Sequence, residues 1–267
     1  MLNVRVGRFE PAYHQFSSKR SYYLLGGYEV YGYPTPNSGF LFDDNQVGIE
    51  ATGHLNMGFK YGLGVVNGTG ASPDNNKFKD MYLSLSQTIG AGDGQSAGQR
   101  IGAFAYYGKQ PTTFPERHPF EPASPAPTGE GAGGSNKPYY RYGGSASLNW
   151  RTFNLEAMYV RGLDDKAFNM LDETKDYEYD GGFVELDYAG LWNNRLVASA
   201  LYNWVTPPDY DEQTGSINSY SALVRYYFGD WTAVNVALHG EYTYRTWEAG
   251  ETEVAENIYS LLVDFAF

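Results

Sequence analysis

The chain ends in NIYSLLVDFAF (257–267), and the alternation within these eleven residues decides the fold. In an extended strand Tyr259, Leu261, Val263, Phe265 and Phe267 share one face, while Ile258, Ser260, Leu262, Asp264 and Ala266 share the other. The first face is wholly apolar and aromatic; the second carries an aspartate. In water such a face would need a core to cover it, yet chain ends are usually polar and frayed. The rest of the sequence must say where that face points.

Aromatic residues make up 17% of the 267 residues, with 25 tyrosines, 32 glycines and no cysteine, and the net charge is −12. An acidic chain lacks the basic stripe of a nucleic-acid binder. Without cysteine, disulfide frameworks, zinc–thiolate sites and attached c-type haem are excluded. There is no run of about 18 apolar residues for a transmembrane helix, but a β-barrel signals itself by alternation instead. The opening MLNVRVGRFEPAYHQFSSKR has neither the apolar stretch nor the small-residue cleavage site of a signal peptide.

Period-two alternation recurs along almost the whole chain, and helical periodicity is nearly absent. It predicts about twelve strands, near 2–10, 46–54, 57–67, 80–89, 100–109, 139–150, 152–162, 178–190, 194–205, 217–228, 231–246 and 257–267. Short links, HLNMG (54–58), NWRTF (149–153), GLWNNR (190–195) and FGDW (228–231), alternate with long polar ones at 11–45, 68–79, 110–138, 163–177, 206–216 and 247–256. GAGDGQSAGQ (90–99) is a longer link on the short side; it lacks G-x-G-x-x-G spacing and precedes a strand, so a flexible turn is expected in place of a phosphate cradle. Short turns on one side and long loops on the other match an up-and-down transmembrane barrel better than a soluble β-sandwich. In lipid the sheet must close and its outer face must be apolar, with Tyr and Trp collecting at the two interfaces. Tyr142, Trp150, Tyr202, Trp204, Tyr226, Trp231, Phe265 and Phe267 stand near strand ends, as interface aromatics would. The terminal apolar face is therefore expected to look at lipid, with Asp264 facing the lumen.

A final strand closing in VDFAF resembles the C-terminal assembly signal of Gram-negative outer-membrane proteins. VRVGRFEPAYHQFSSKR, NQVGIEATGHLNMGFKYGLGVVNGTG, YDGGFVELDYAGL and SYSALVRYYF loosely resemble the phosphate-selective (O/P-type) porin family. That resemblance implies a porin of the outer membrane, typically with sixteen strands and a lysine-rich constriction. This chain departs on both counts, which weakens the case for phosphate selectivity and leaves about twelve strands, or sixteen if upstream strands are missing.

The faces turned from lipid carry Arg5, Glu50, Lys60, Arg141, Glu156, Glu185, Asp187, Arg225, His239, Glu241, Arg245 and Asp264. A mid-plane charge facing lipid costs about 2–4 kcal/mol, so these side chains should line a pore or pair with one another, as Arg225 could with Glu241. Glu185 and Asp187 share a strand face at about 7 Å, but without a groove this spacing does not make a catalytic pair. The four histidines, His14, His54, His118 and His239, form no metal spacing, and Asp-rich loop pieces read as solvated surface. The expected function is passive diffusion of small hydrophilic solutes or ions, with no enzyme activity, cofactor or metal. A plugged structural or adhesive barrel, or a sheath around an electron-carrying cytochrome, is the alternative. Expected partners are outer-membrane lipid, lipopolysaccharide and small solutes, with no nucleic acid; a homotrimer is the assembly open to it. Either the 110–138 or the 11–45 loop could constrict the lumen. Loop acids such as Asp43, Asp44, Asp164, Asp165, Asp172, Glu173, Asp209, Asp211 and Glu212 predict a negative mouth and weak cation preference at low salt.

Overall fold

A computed structural model describes residues 2–16, 27–35, 37, 40–55, 58–70, 72–90, 98–112, 136–169, 172, 174–208, 216–230, 235–249 and 252–266. The side chains at 229, 230, 235, 249, 252 and 264–266 are outside that description. The strands are β1 (Leu2–Phe9), β2 (Gln46–His54), β3 (Phe59–Val66), β4 (Asp80–Ile89), β5 (Gln99–Pro111), β6 (Asn136–Trp150), β7 (Phe153–Asp164), β8 (Tyr177–Leu191), β9 (Leu196–Thr206), β10 (Ile217–Asp230), β11 (Asn235–Ala249) and β12 (Thr252–Ala266). Helix α1 spans only Glu29–Gly32, and a 3-10 turn covers Lys166–Phe168. The twelve strands pair in sequence order, each antiparallel to the next, in one sheet. No helix among the described residues is long and apolar enough to cross a membrane.

Alternation becomes burial because each residue step turns the side chain to the opposite face. On β9, Val197, Leu201, Asn203 and Val205 are buried, while Ala198, Ala200, Tyr202 and Trp204 lie between them on the outside. Register carries the faces from strand to strand: Tyr106 pairs with Arg141, Arg141 with Gly162 and Gly162 with Tyr179, one inward row across four strands. Outside, Leu63, Val65, Met81, Leu83, Leu148, Val184, Leu186 and Val224 remain exposed. Aromatic girdles flank this apolar band. Trp150, Phe153 and Tyr188 stack in sequence at centroid distances of 6.0 and 4.5 Å on the turn side, joined by Trp192 against Tyr226 at 5.6 Å. On the loop side, Trp204, Tyr202 and Tyr220 stack at 5.6 and 4.9 Å, and Tyr242 meets Tyr259 at 5.0 Å. An exposed apolar band between aromatic girdles, on a helix-poor antiparallel sheet, is the outer surface of an outer-membrane β-barrel.

The expected interface residues Tyr142, Trp150, Tyr202, Trp204 and Tyr226 all lie on this outer face. Phe265 pairs through its backbone with Val236, but its side chain is outside the described set, as are Trp231 and Phe267 altogether. Three expectations need correction. The long 247–256 connection is a tight hairpin, since β11 runs to Ala249 and β12 begins at Thr252. The FGDW turn sits further on, because β10 continues through Asp230. The 11–45 connection is long but not a polar surface loop: Tyr13, Phe16, Tyr28, Val30, Tyr31, Phe40 and Phe42 are buried in it. The expected short link at 190–195 is present and narrows to a turn at Trp192–Arg195, because β8 runs on to Leu191. Trp192, Asn193 and Asn194 are all left-handed (φ 50°, 59° and 64°), a conformation asparagine tolerates better than most residues.

Candidate functional site

The interior is built by the connection between β1 and β2, which packs against the inward faces of strands from β2 to β11. Its aromatics stack against inward-pointing rings: Tyr13 on Tyr82 and Tyr106 (5.0 and 5.4 Å), Phe40 on Tyr106 and Tyr139 (4.6 and 5.0 Å), and Tyr28 parallel to Phe183 (3.7 Å, 10°). Edge-to-face and offset pairs of this kind contribute about 0.5–1.5 kcal/mol each beyond burial. Glycines make room for some of these rings. A Cβ on Gly64 would sit 2.1 Å from the Tyr82 ring, and one on Gly162 would sit 2.0 Å from the Tyr179 ring.

Polar tethers fix the loop at points around the sheet. Near its start, the Ala12 N–H donates to Glu50 (2.7 Å), Gln15 Nε2 donates to the Ser84 hydroxyl (2.8 Å), and Arg100 donates to the Gln15 carbonyl (3.4 Å). Further on, the Tyr28 hydroxyl donates to Glu185 (2.6 Å), the Glu29 N–H to Asn203 Oδ1 (3.3 Å) and Tyr31 to the Phe16 carbonyl (2.6 Å). Glu29 then reaches across to β11, where Arg245 Nη2 donates to its Oε2 at 3.0 Å and Nε lies 3.0 Å from Oε1. Burial holds the Glu29 carboxyl above the usual glutamate range, against the opposing pull of Arg245. Arg141 donates to Thr35 (3.3 Å) and carries the Phe40 ring against its guanidinium (5.6 Å).

The expected lumen residues stand on the inward face, many of them already engaged. Arg5 donates through Nε to Glu50 at 2.8 Å, and Tyr82 donates to the same carboxylate (2.5 Å). Arg141, 1% exposed, pairs with the buried Asp164 at 2.6 Å. His239 lies 3.2 Å from Glu241, both of them buried. Glu156 sits directly opposite Glu185, and Asp187 accepts from Asn154 (3.3 Å). Arg225 pairs in register with His239, which places it diagonal to Glu241, and its guanidinium lies over the Tyr227 ring (5.9 Å). Asp264 pairs through its backbone with the buried Ala237, the register of the inward face, and its side chain is outside the described set. Lys60 is exposed. It lines a cavity of about 350 Å³ on the turn side of the loop, with His14, Gln15, Ser84, Ser86 and Arg100 among its walls.

Asp164, expected at the mouth, is instead buried against Arg141. Asp172 pairs with Lys175 (3.4 Å), while Glu173, Asp209, Asp211 and Glu212 lie outside the described residues, as does most of the 110–138 loop. Sequence reasoning missed Tyr28, Glu29, Tyr31, Gln15 and Arg100. The dense aromatic run YEVYGY (28–33) was the available signal, since solvated loops seldom spend so many rings.

No family model matches the chain, and no curated protein resembles it significantly in sequence. Solved structures do resemble it. The outer-membrane protein OmpT of Vibrio cholerae, folded in vitro and in its trimer form, aligns with a TM-score of 0.55 at 13% identity, over 98% of this chain and 74% of that one. OmpT expressed in the outer membrane aligns with a TM-score of 0.56 at 13% identity, over 99% of this chain and 77% of that one. The chain has the outer-membrane barrel fold. With its lipid-facing band and girdles, that fold places the protein in the outer membrane of a Gram-negative cell.

Proposed function

We propose that the protein is a channel for passive diffusion of small hydrophilic solutes or ions, with the β1–β2 loop as its constriction. The observation that carries this reading is the polar cavity of about 350 Å³ on the turn side of the loop, walled by Lys60, Arg100, His14, Gln15 and two serines. A chamber with polar and charged walls inside a lipid-facing sheet suits solute passage, because such wall groups can replace part of a solute's hydration shell. The loop narrows the path by crossing the interior from Glu50 on β2 to Arg245 on β11. No catalytic step is assigned. Glu185 and Asp187, the carboxylates at strand spacing, are occupied by Tyr28 and Asn154. Lipopolysaccharide around the long connections, and a homotrimer like the trimer form of the Vibrio protein, belong to the same proposal.

One observation favours a second reading. Tyr13, Tyr31, Phe40, Phe42 and Phe104 close the loop-side half of the interior with aromatic packing, as a structural barrel with a plugged lumen would have. The same packing argues against a sheath around a cytochrome. Single-channel recording in planar bilayers separates channel from plug: conductance steps from the folded protein support the channel, and a folded but silent protein supports the plug.

A further inference from the structure

The two outermost strands of the sheet lack a second neighbour. Strand order runs from β1 to β12, and among the described residues neither of these two pairs with the other. Their side chains register the gap. Val6 and Leu261 are 76% exposed, against 38% for Leu83 and 48% for Val65 within the sheet. Asn3 and Arg5 are exposed on the inward face of β1 as well. An open edge presents a row of unpaired N–H and C=O groups, which hydrocarbon does not tolerate.

We propose that the barrel is closed by two or four further antiparallel strands of the same polypeptide, seated between β12 and β1. The even number follows from direction. β1 runs toward the long-connection side and β12 runs away from it, so only an even insertion keeps every neighbour antiparallel. A second copy is a poorer fit. The inner loop is tethered to β2 through Ala12 and to β11 through Glu29, so this sheet is already curled around its own contents. Opening it into a shared ring would pull those tethers apart. The solved barrels that match 98–99% of this chain extend over a further quarter of their own length, which is room for such strands. The inserted strands should alternate apolar and polar residues in phase with the exposed edges, presenting apolar side chains level with Val4 and Leu261.

These 267 residues contain no cysteine, so within them only the introduced pairs can form a disulfide. The native gene product is expressed in outer membranes with Val4→Cys combined in turn with Tyr259→Cys, Leu261→Cys or Val263→Cys. Val6→Cys with Ile49→Cys, direct partners across β1 and β2, serves as the positive control. The expected result is a disulfide in the control and in none of the edge pairs, with an intact mass above 29.8 kDa by at least two strands. An intramolecular disulfide in any edge pair overturns the proposal in favour of direct closure. A disulfide-linked dimer overturns it in favour of a second copy. An unlinked product no heavier than this chain overturns it as well. None of these outcomes depends on whether the barrel conducts.

Discussion

Val224→Arg puts a charge on the lipid face at a depth the structure defines. Val224 points outward at 49% exposure, and its cross-strand partners are Ala198 and Gly240, which leave it open to lipid. Tyr226 of the turn-side girdle is two residues away and Tyr220 of the loop-side girdle is four residues away on the same face. At about 3.4 Å per residue these separations are about 7 and about 14 Å along the strand. A tilt of about 40° reduces them to depths of about 5 and about 10 Å. Arg at the mid-plane costs about 2–4 kcal/mol and near the interface about 0–1. Because the long side chain can snorkel past Tyr226, the lower end applies, about 2 kcal/mol. That is about a 30-fold loss in the folding equilibrium. Thr206→Arg is the matched control, exposed beyond Trp204 and in register with Asp180, where a cost under about 1 kcal/mol is expected. Both variants are refolded into phosphatidylcholine vesicles and titrated with urea, following tryptophan fluorescence and the gel mobility of unheated samples. Equal losses in the two variants, or none in Val224→Arg, would refute the lipid-facing assignment.

Acid should favour the docked loop. The raised Glu29 carboxyl binds its proton more tightly when buried than when the loop is released into water. Conductance is therefore expected to fall as pH drops toward the glutamate range, and Glu29→Gln should flatten that response in bilayer recordings. Protease added to intact cells should cut within 112–135 and spare the Trp192–Arg195 turn; fragments with the opposite pattern reverse the orientation. Gly64→Val drives a side chain into the Tyr82 ring, and urea titration should show a loss of about 1–3 kcal/mol from overpacking.

The sheet was legible because a strand's period is set by backbone geometry alone, and a lipid-facing strand must hold that period along its whole length. NIYSLLVDFAF therefore announces both its faces, and the register places Leu262 beside His239 and Val263 beside Leu238, as the alternation implied. Strand ends were less legible. Thr252–Glu256 pairs with Ala249–Arg245 although EAGETE reads as loop, because beyond the hydrocarbon a strand pair tolerates charge. The interior was hardly legible at all. Glu29 and Arg245 are 216 positions apart, and their pairing depends on how a loop folds inside the sheet, which no local pattern encodes. For the same reason Asp164 reads as a mouth acid in sequence, whereas the fold buries it against Arg141.

The most direct test of the central claim is single-channel recording of the folded protein, beside a Tyr28→Ala/Tyr31→Ala variant that removes two anchors of the inner loop. The channel account expects discrete conductance steps from the parent and larger ones from the variant, since the loop is the constriction. Silence from both, with gel mobility showing both folded, would contradict the account and leave a plugged barrel.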